Sequence, residues 1–462
     1  MRPDGKTGGG GANWCRAQIP VGLGLLGLAL VIGLALRLAP ILPADFPLRD
    51  GGLFVTMAND IRHAGFGLPQ FSSYNTGDIP FAYPPLGLYL LALIPGDPIT
   101  TERWLPLVWS MVAIPGAYLL ARELTDDRRA GLAALIFAAM PVTWAIEGGG
   151  VTRALALALL LFALWRVAVL LRMPGVRHAA FAGVLAGAAL LTHPAVGPTG
   201  LASAALLFLF SPSRRGLAAL VGAGLLAVLI ALPWLALVLV RYGSGAIVAA
   251  GTAHHGDETL GRFLTLGPSW IGALDFVLPT ALLGLVMVIH RRQWLLPAWV
   301  VLLIMVPGGE GGYAAVVWAM LAATGALTVA DALASGGGLK VAAGLGLTWL
   351  FVAALLAGYQ RFHGLPDALR ATIVQAGSQV PPGARFAVET DDPGLEQALL
   401  DWFPTLSNRI SLGTYLGLEW TTPDRWNTTV ALDDRIQQGE IPPDADYVFR
   451  FDHGVASWGP AH

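Results

Sequence analysis

Long apolar stretches alternate with short polar ones along most of the chain. They fall at roughly 19–39, 104–121, 128–146, 152–171, 178–195, 197–211, 216–240, 269–289, 294–307, 312–330 and 341–358. Most approach the ~20 residues a helix needs to cross the hydrocarbon core of a bilayer. Inside lipid every backbone polar group must be paired, and a helix pairs its own. The pattern therefore predicts a polytopic α-helical membrane protein with about 11 transmembrane helices. From residue 361 the pattern changes. "ARFAVETDDPGLEQALLDWFPTLSNRISLGTYLGLEW" reads strand, helix, strand, and "ADYVFRFD" reads as a later strand. The last segment, 361–462, is thus expected to be a small α/β domain outside the membrane, leaning on the first loop.

That loop, residues 40–103, is long for a connection. Within it Leu53, Phe54, Met57, Ala58 and Ile61 recur at helical spacing, which predicts an amphipathic helix lying on the membrane. "YPPLGLYLLALIPG", 83–96, is apolar but too short to span, and reads as a surface or re-entrant helix. The expected organisation is a disordered tail at 1–18, a transmembrane domain at 19–360 and the C-terminal domain.

Composition agrees. Of the 462 residues, 55% are hydrophobic and 13% charged, about half the charged share of a soluble domain. The net charge of −2 comes with no basic patch, which excludes nucleic acid as a partner. Cys15 is the only cysteine, so no intrachain disulfide forms. Residues 19–38 are too long for a signal-peptide core and read as an uncleaved span. With the N-terminus cytoplasmic, fourteen Lys and Arg fall on the inner side of the membrane part. Seven fall outside: Arg37, Arg49, Arg62, Arg103, Arg153, Arg241 and Arg262. That bias supports the orientation and puts the C-terminal domain outside the cell membrane.

The same orientation gathers most carboxylates and histidines at the outer face. Asp50, in "RDGG", can act as a general base at a wet mouth. It also immediately precedes a helix, and on the residues alone an N-cap is the stronger reading. Glu147 and Arg153 flank a triple-glycine turn in "WAIEGGGVTRALA", a setting for an anionic ligand or a tight turn with a snorkelling arginine. His193, in "LLTHPAVGP", and Arg241 are further polar groups at the outer ends of spans. Asp60 and Tyr83 lie in the first loop, where they would serve the acceptor or the loop itself. His254, His255 and Asp257 in "AHHGDE" could ligate a metal, although a solvated loop is the stronger reading. No nucleotide-binding or cofactor motif is present in the sequence.

Four stretches, taken in order, carry a family resemblance: "RDGGLFVTMANDI"; "YPPLGLYLLALI" followed by "RWLPLVWSMVAIPGAYLLARELTDDRRAG"; "MPVTWAIEGGGVTRALA"; and "LLTHP". Through them the chain resembles the GT-C superfamily of polyprenyl-phosphate-sugar-dependent glycosyltransferases. It looks most like the protein-mannosyltransferase and aminoarabinose-transferase type, the glycosyltransferase family 39-like group. The resemblance covers about residues 40–200. It implies a cell-membrane enzyme that moves a sugar from a polyprenyl-phosphate donor to a hydroxyl acceptor (protein, lipid or glycan), with inversion. It implies Asp50 as catalytic base and Glu147 as a second acidic residue. Arg153, His193 and Arg241 would then receive the phosphate, and a divalent metal stays open. Two departures stand out: relatives often carry Asp-Glu where this chain has Asp50–Gly51, and the C-terminal segment matches no named domain. The alternative class is a transporter or flippase of a lipid-linked or amphipathic solute, which would place charges on both faces or show inverted repeats. A structural protein whose outer domain binds a partner is a third reading.

Overall fold

Each apolar stretch holds one helix. In a computed structural model, which describes residues 20–252, 277–306, 312–334 and 339–461, these are α1 (Val21–Ile41), α4 (Pro98–Leu124), α5 (Asp127–Ala139), α6 (Gly150–Arg172), α7 (Val176–Leu190), α8 (Val196–Phe210) and α9 (Arg214–Thr252). They continue as α10 (Val277–His290), α11 (Leu295–Met305), α12 (Gly312–Leu333) and α13 (Leu339–Arg361). Among the described residues, six of them are long and apolar enough to cross a membrane: α1, α4, α6, α9, α12 and α13. The other five have 11 to 15 residues, short of the ~20 for a full span. Among the described residues the count of full-length spans is therefore smaller than the count of apolar stretches. The chain is a helical membrane protein.

Helix starts follow local chemistry. Asp97 accepts the backbone N–H groups of Ile99 and Thr100, with Pro98 at the first helical position, and so begins α4. Asp126 does the same for α5 through the Arg129 N–H. The bundle core is rich in alanine, from Ala133, Ala134 and Ala138 on α5 to Ala315, Ala319 and Ala322 on α12. Small residues let these helices approach closely. α13 keeps most of its surface outward, as a lipid-facing helix would. Arg37, counted on the outer side at the end of the first apolar stretch, lies inside α1 and is fully buried. Its guanidinium donates to Ser110 Oγ (2.7 Å) and to the Ala138 carbonyl (2.8 Å), with the Gly33 carbonyl and Thr143 Oγ1 also in reach. These acceptors draw it inward from α4 and α5.

The first loop folds onto the bundle. It forms α2 (Gly52–His63), the short pair β1 (Phe71–Ser72) and β2 (Ile79–Pro80), and α3 (Leu86–Leu93). The apolar face of α2 is as the spacing predicts, but protein covers it. Leu53, Phe54, Met57, Ala58 and Ile61 pack with Tyr74, Phe81, Tyr83, Leu418 and Trp420. The membrane-lying placement is thereby corrected: the C-terminal segment supplies part of the apolar cover that lipid would have given.

That segment contains α14 (Asp367–Gln379), β3 (Arg385–Thr390), α15 (Glu396–Ser407), β4 (Ile410–Ser411), α16 (Pro423–Gln437), β5 (Tyr447–Asp452) and β6 (Val455–Pro460). The strands form one sheet in the order β4-β3-β5-β6. β3 runs parallel to β4 and β5, with Phe386 opposite Tyr447 and Thr390 opposite Phe451, and β6 pairs antiparallel with β5. Parallel neighbours need a crossover, which α15 supplies between β3 and β4. The apolar core here includes Phe46 and Val55 of the first loop, so the segment does lean on that loop. A backbone seam joins three distant pieces of chain: Leu48 bridges Glu147 on one side and Gly364 on the other.

Candidate active site

The seam sets the site. Residues 48–51, 147–153 and 361–364 meet at one end of the bundle, where a cavity of about 310 Å³ opens. It is lined by Arg49, Asp50, Glu147, Arg153, His193 and Arg361, among others. Two Gly positions permit this convergence. Gly51 has φ 152°, and a Cβ there would strike the Glu102 carboxylate and the Trp402 ring. A Cβ on Gly148 would fall 2.0 Å from the Asp50 carbonyl oxygen. Only residues without a side chain let these backbones touch.

Arg153, in the first turn of α6, stands between two carboxylates. Its Nη2 donates to both Asp50 oxygens, at 2.8 and 3.0 Å, and its Nε donates to Glu147 Oε1 at 3.1 Å. The Gly149 N–H adds a contact of 3.2 Å to Asp50. Asp50 is 4% exposed and Glu147 8%. Burial alone would push the Asp50 carboxyl up. The Arg153 charge and hydrogen bonds, with Arg49 and the Gly149 N–H, outweigh it and hold the group below the usual carboxylate range. Asp50 is therefore ionised at neutral pH.

The helix-cap reading of Asp50 is overturned. Gly51 occupies the N-cap position of α2, with no side-chain cap from its own neighbourhood. The cap comes from Asp401 on α15, which accepts the N–H groups of Gly51, Gly52 (2.9 Å) and Leu53 (3.2 Å). Asp50 cannot cap because its carboxylate turns the other way, toward Arg153.

The structure brings Asp50, Glu147, Arg153 and His193 together around the cavity. The Ala195 N–H donates to His193 Nδ1 (3.3 Å). Tyr83 does not line the cavity but stands behind His193, ring centroids 6.2 Å apart, with its hydroxyl 3.1 Å from Thr152 Oγ1. Arg241 lies elsewhere. Its Nη1 donates to the carbonyls of Leu68 (3.0 Å) and Pro69 (2.7 Å), which ties α9 to the first loop. Asp60 is also spent on the loop, accepting from Ser72 Oγ, Ser73 N and Ser73 Oγ. His254, His255 and Asp257 lie outside the described residues.

Sequence reasoning missed Arg361 and undervalued Arg49. Arg49, with φ 54°, is held in a left-handed conformation by its N–H to the His363 carbonyl (2.6 Å) and by Trp402 Nε1 on its own carbonyl (2.9 Å). Its Nη2 donates to Gln397 (2.7 Å). Neither Arg49 nor Arg361 has a carboxylate partner among the described residues. Arg361 was legible as the one charge closing the last apolar stretch. Glu102 on α4 was also missed: it is fully buried against Gly51, and among the described residues neither carboxylate oxygen has a hydrogen-bond partner.

A divalent metal does not fit this cavity as built. The guanidinium of Arg153 fills the space between the two carboxylates that would ligate it, and the other charged groups lining the cavity, Arg49 and Arg361, are cationic. Among the described residues Asp391, just after β3, also clusters with Asp452 and His453 at the exposed β5–β6 turn, away from the cavity.

Comparison with known proteins gives the class. The sequence model of the dolichyl-phosphate-mannose-protein mannosyltransferase family matches residues 82–240. No curated protein matches the chain in sequence. Among solved structures, the oligosaccharyltransferase of Archaeoglobus fulgidus complexed with zinc and sulfate aligns with a TM-score of 0.58 at 15% identity, over 92% of this chain and 67% of that one. The archaeal oligosaccharyltransferase AglB of the same organism, in complex with an inhibitory peptide and a dolichol-phosphate, aligns at 0.55 and 14% identity, over 93% and 69%. ArnT from Cupriavidus metallidurans in the apo state aligns at 0.51 and 13%, over 93% and 92%. These neighbours are GT-C glycosyltransferases, and the chain carries their fold. The GT-C resemblance is therefore borne out in the fold; three of its four stretches fall within the family match at 82–240, and "RDGGLFVTMANDI" falls before it.

Proposed function

We propose that the protein is an inverting glycosyltransferase that moves a sugar from a polyprenyl-phosphate donor to a hydroxyl acceptor at the outer face of the cell membrane. The observation that carries this reading is the Asp50–Arg153–Glu147 clamp beside two arginines that make no ion pair among the described residues, in a cavity at one end of an apolar bundle. Its charged groups sum to a net positive site, suited to a lipid phosphate whose chain stays in the bilayer. The dolichol-phosphate bound by the archaeal neighbour supports that donor class.

In this mechanism Arg49 and Arg361, with His193, receive the phosphate, and the developing negative charge on its bridging oxygen is stabilised as the C1–O bond breaks. The acceptor oxygen forms its bond to C1 from the opposite face, and its proton passes to Asp50. A carboxylate clamped by a guanidinium is a weak base. An incoming phosphate that draws Arg153 toward itself would loosen the clamp and raise the basicity of Asp50 at the moment it is needed. Glu147 holds the Nε edge of the guanidinium while its Nη2 end leaves Asp50. Arg241 would act on the donor only indirectly, through the loop it holds.

The test is release of polyprenyl phosphate by the purified full-length protein given polyprenyl-phosphate sugars and hydroxyl acceptors. Turnover that vanishes in Asp50→Asn supports the reading. Absence of turnover and of donor binding across hexosyl and pentosyl donors would overturn it.

A further inference from the structure

Asp401 lies 350 residues from Gly51, in the C-terminal segment, yet is fully buried against the loop that bears Asp50. Its Oδ2 accepts the N–H groups of Gly51 and Gly52, its Oδ1 that of Leu53. The Tyr74 hydroxyl donates to the Asp401 carbonyl (2.7 Å) and Oδ1 (3.0 Å). The grip extends along one face of α15, because residues four apart share a face. Gln397 accepts from Arg49, Trp402 donates to the Arg49 carbonyl, and Thr405 Oγ1 donates to the Gly52 carbonyl (2.9 Å). On the opposite side the same peptide is held by Gly148, close against the Asp50 carbonyl, and by Gly149 and Arg153 on its carboxylate.

We propose that Asp401 is a positioning residue of the active site: from the C-terminal segment it caps α2 across the chain and so fixes where Asp50 stands relative to Arg153. This rests on the reading of Asp50 as the base. Asp401 touches no substrate in this scheme. It supplies the charge that the bare N-terminus of α2 attracts and that its own neighbours do not provide.

A purely mechanical role would be indifferent to the ionisation of Asp401, and this role is not. Five groups face it: Asp50 and Tyr74 from the first loop, Glu102 from α4, and Tyr415 and Glu419. Burial, then the charge of Asp50, pushes the Asp401 carboxyl up to about 6, against the N–H groups of Gly51 and Leu53 and the Tyr74 hydroxyl. Below that pH the carboxyl is neutral and caps α2 poorly. Asp50 is held below the ordinary 3.8, so its own protonation belongs to a lower range. An acid limb near pH 6 in kcat/KM, which reads the free protein, reports on Asp401 where Asp401→Asn removes it and Tyr74→Phe moves it, since His193, which lines the same cavity, is unchanged in both variants. Burial also pushes Glu419 up, to about 7, and Glu419→Gln is the control that must leave the limb in place.

The experiment compares wild type, Asp401→Asn and Tyr74→Phe as full-length protein, by hydrogen exchange and by steady-state turnover against pH. In Asp401→Asn the amides of Gly51–Leu53 should exchange about ten- to a hundred-fold faster, as lost charge-assisted bonds imply. The kcat should fall on the order of 10²-fold, as for a small displacement of a catalytic group, with donor KM unchanged and no limb near pH 6. Tyr74→Phe removes a donor that favours the charged form, so it should fold and move the limb to higher pH. It carries the test if Asp401→Asn does not fold. Wild-type exchange in Asp401→Asn, an unmoved limb in Tyr74→Phe, or fast exchange with undiminished kcat would each overturn the proposal. If the wild type turns over no polyprenyl-phosphate sugar, faster exchange in Asp401→Asn leaves the cap standing and places the failure on the reading of function.

Discussion

Replacing Asp50 by Asn tests the clamp and the base together. Asn keeps the shape and one acceptor oxygen but loses the charge. In the structure that charge receives two bonds from Arg153 and one from Gly149, on a residue only 4% exposed. Arg153 retains Glu147 at 3.1 Å, so its charge is not stranded. The loss is therefore nearer one charge-assisted interaction, about 1.5–3 kcal/mol, than the 3–5 kcal/mol of a fully orphaned buried ion (an approximate range). Turnover should fall on the order of 10²–10⁴-fold, because the amide cannot take the proton. Were Asp50 the α2 cap, the same change would be nearly silent in both readouts, since Asn caps about as well as Asp. The pH dependence gives a further check. A carboxyl lowered in the folded state contributes stability that is present above its unfolded value, near 3.8. That stability is lost as pH falls through the lower folded value. The stability gap between wild type and variant should thus stay constant from about pH 5 upward. The assays are thermal unfolding and donor turnover of the purified variant. Lost stability with full turnover would reduce Asp50 to a structural ion pair. Normal stability with full turnover would refute the clamp as well.

Arg153→Ala leaves Asp50 and Glu147 facing each other with no cation between them, and should destabilise by about 3–5 kcal/mol; thermal unfolding decides, and a neutral result would contradict the geometry. Arg361→Gln removes a cation with no carboxylate partner among the described residues, so donor affinity should drop about ten- to a hundred-fold with stability unchanged, read by titration with a polyprenyl phosphate. Asp60→Asn should cost about 1 kcal/mol of stability, through its bonds to Ser72 and Ser73, and leave turnover near normal; a large loss of turnover would move Asp60 into the site.

The sequence carried the elements better than their partners. Apolar period located the helices of the bundle and, at Leu53 to Ile61, the buried face of α2. What covers that face was not legible, because lipid and the Leu418–Trp420 turn satisfy the same pattern. The glycines around Asp50 and Glu147 marked close backbone approach, and the cavity gathers Asp50, Glu147, Arg153 and His193. Arg241 misled: an arginine at the end of a span reads alike whether it meets a ligand or, as here, two loop carbonyls. Asp401 carried no signal, since a cap is recognised by its place before a helix and this one arrives from 350 residues further along the chain.

Arg37 has a consequence for biosynthesis. It sits near the end of α1, but its acceptors, Ser110 and Ala138, are more than seventy residues downstream. When α1 leaves the ribosome they do not yet exist. An arginine at the centre of an inserting helix costs about 2.5–3.5 kcal/mol, less toward its end where the side chain can reach the headgroups. Until those acceptors exist, its own helix offers it the Gly33 carbonyl, one turn back. The guanidinium can take its inward partners only once α4 and α5 stand beside it, so the side-chain arrangement of α1 is completed after those helices are made.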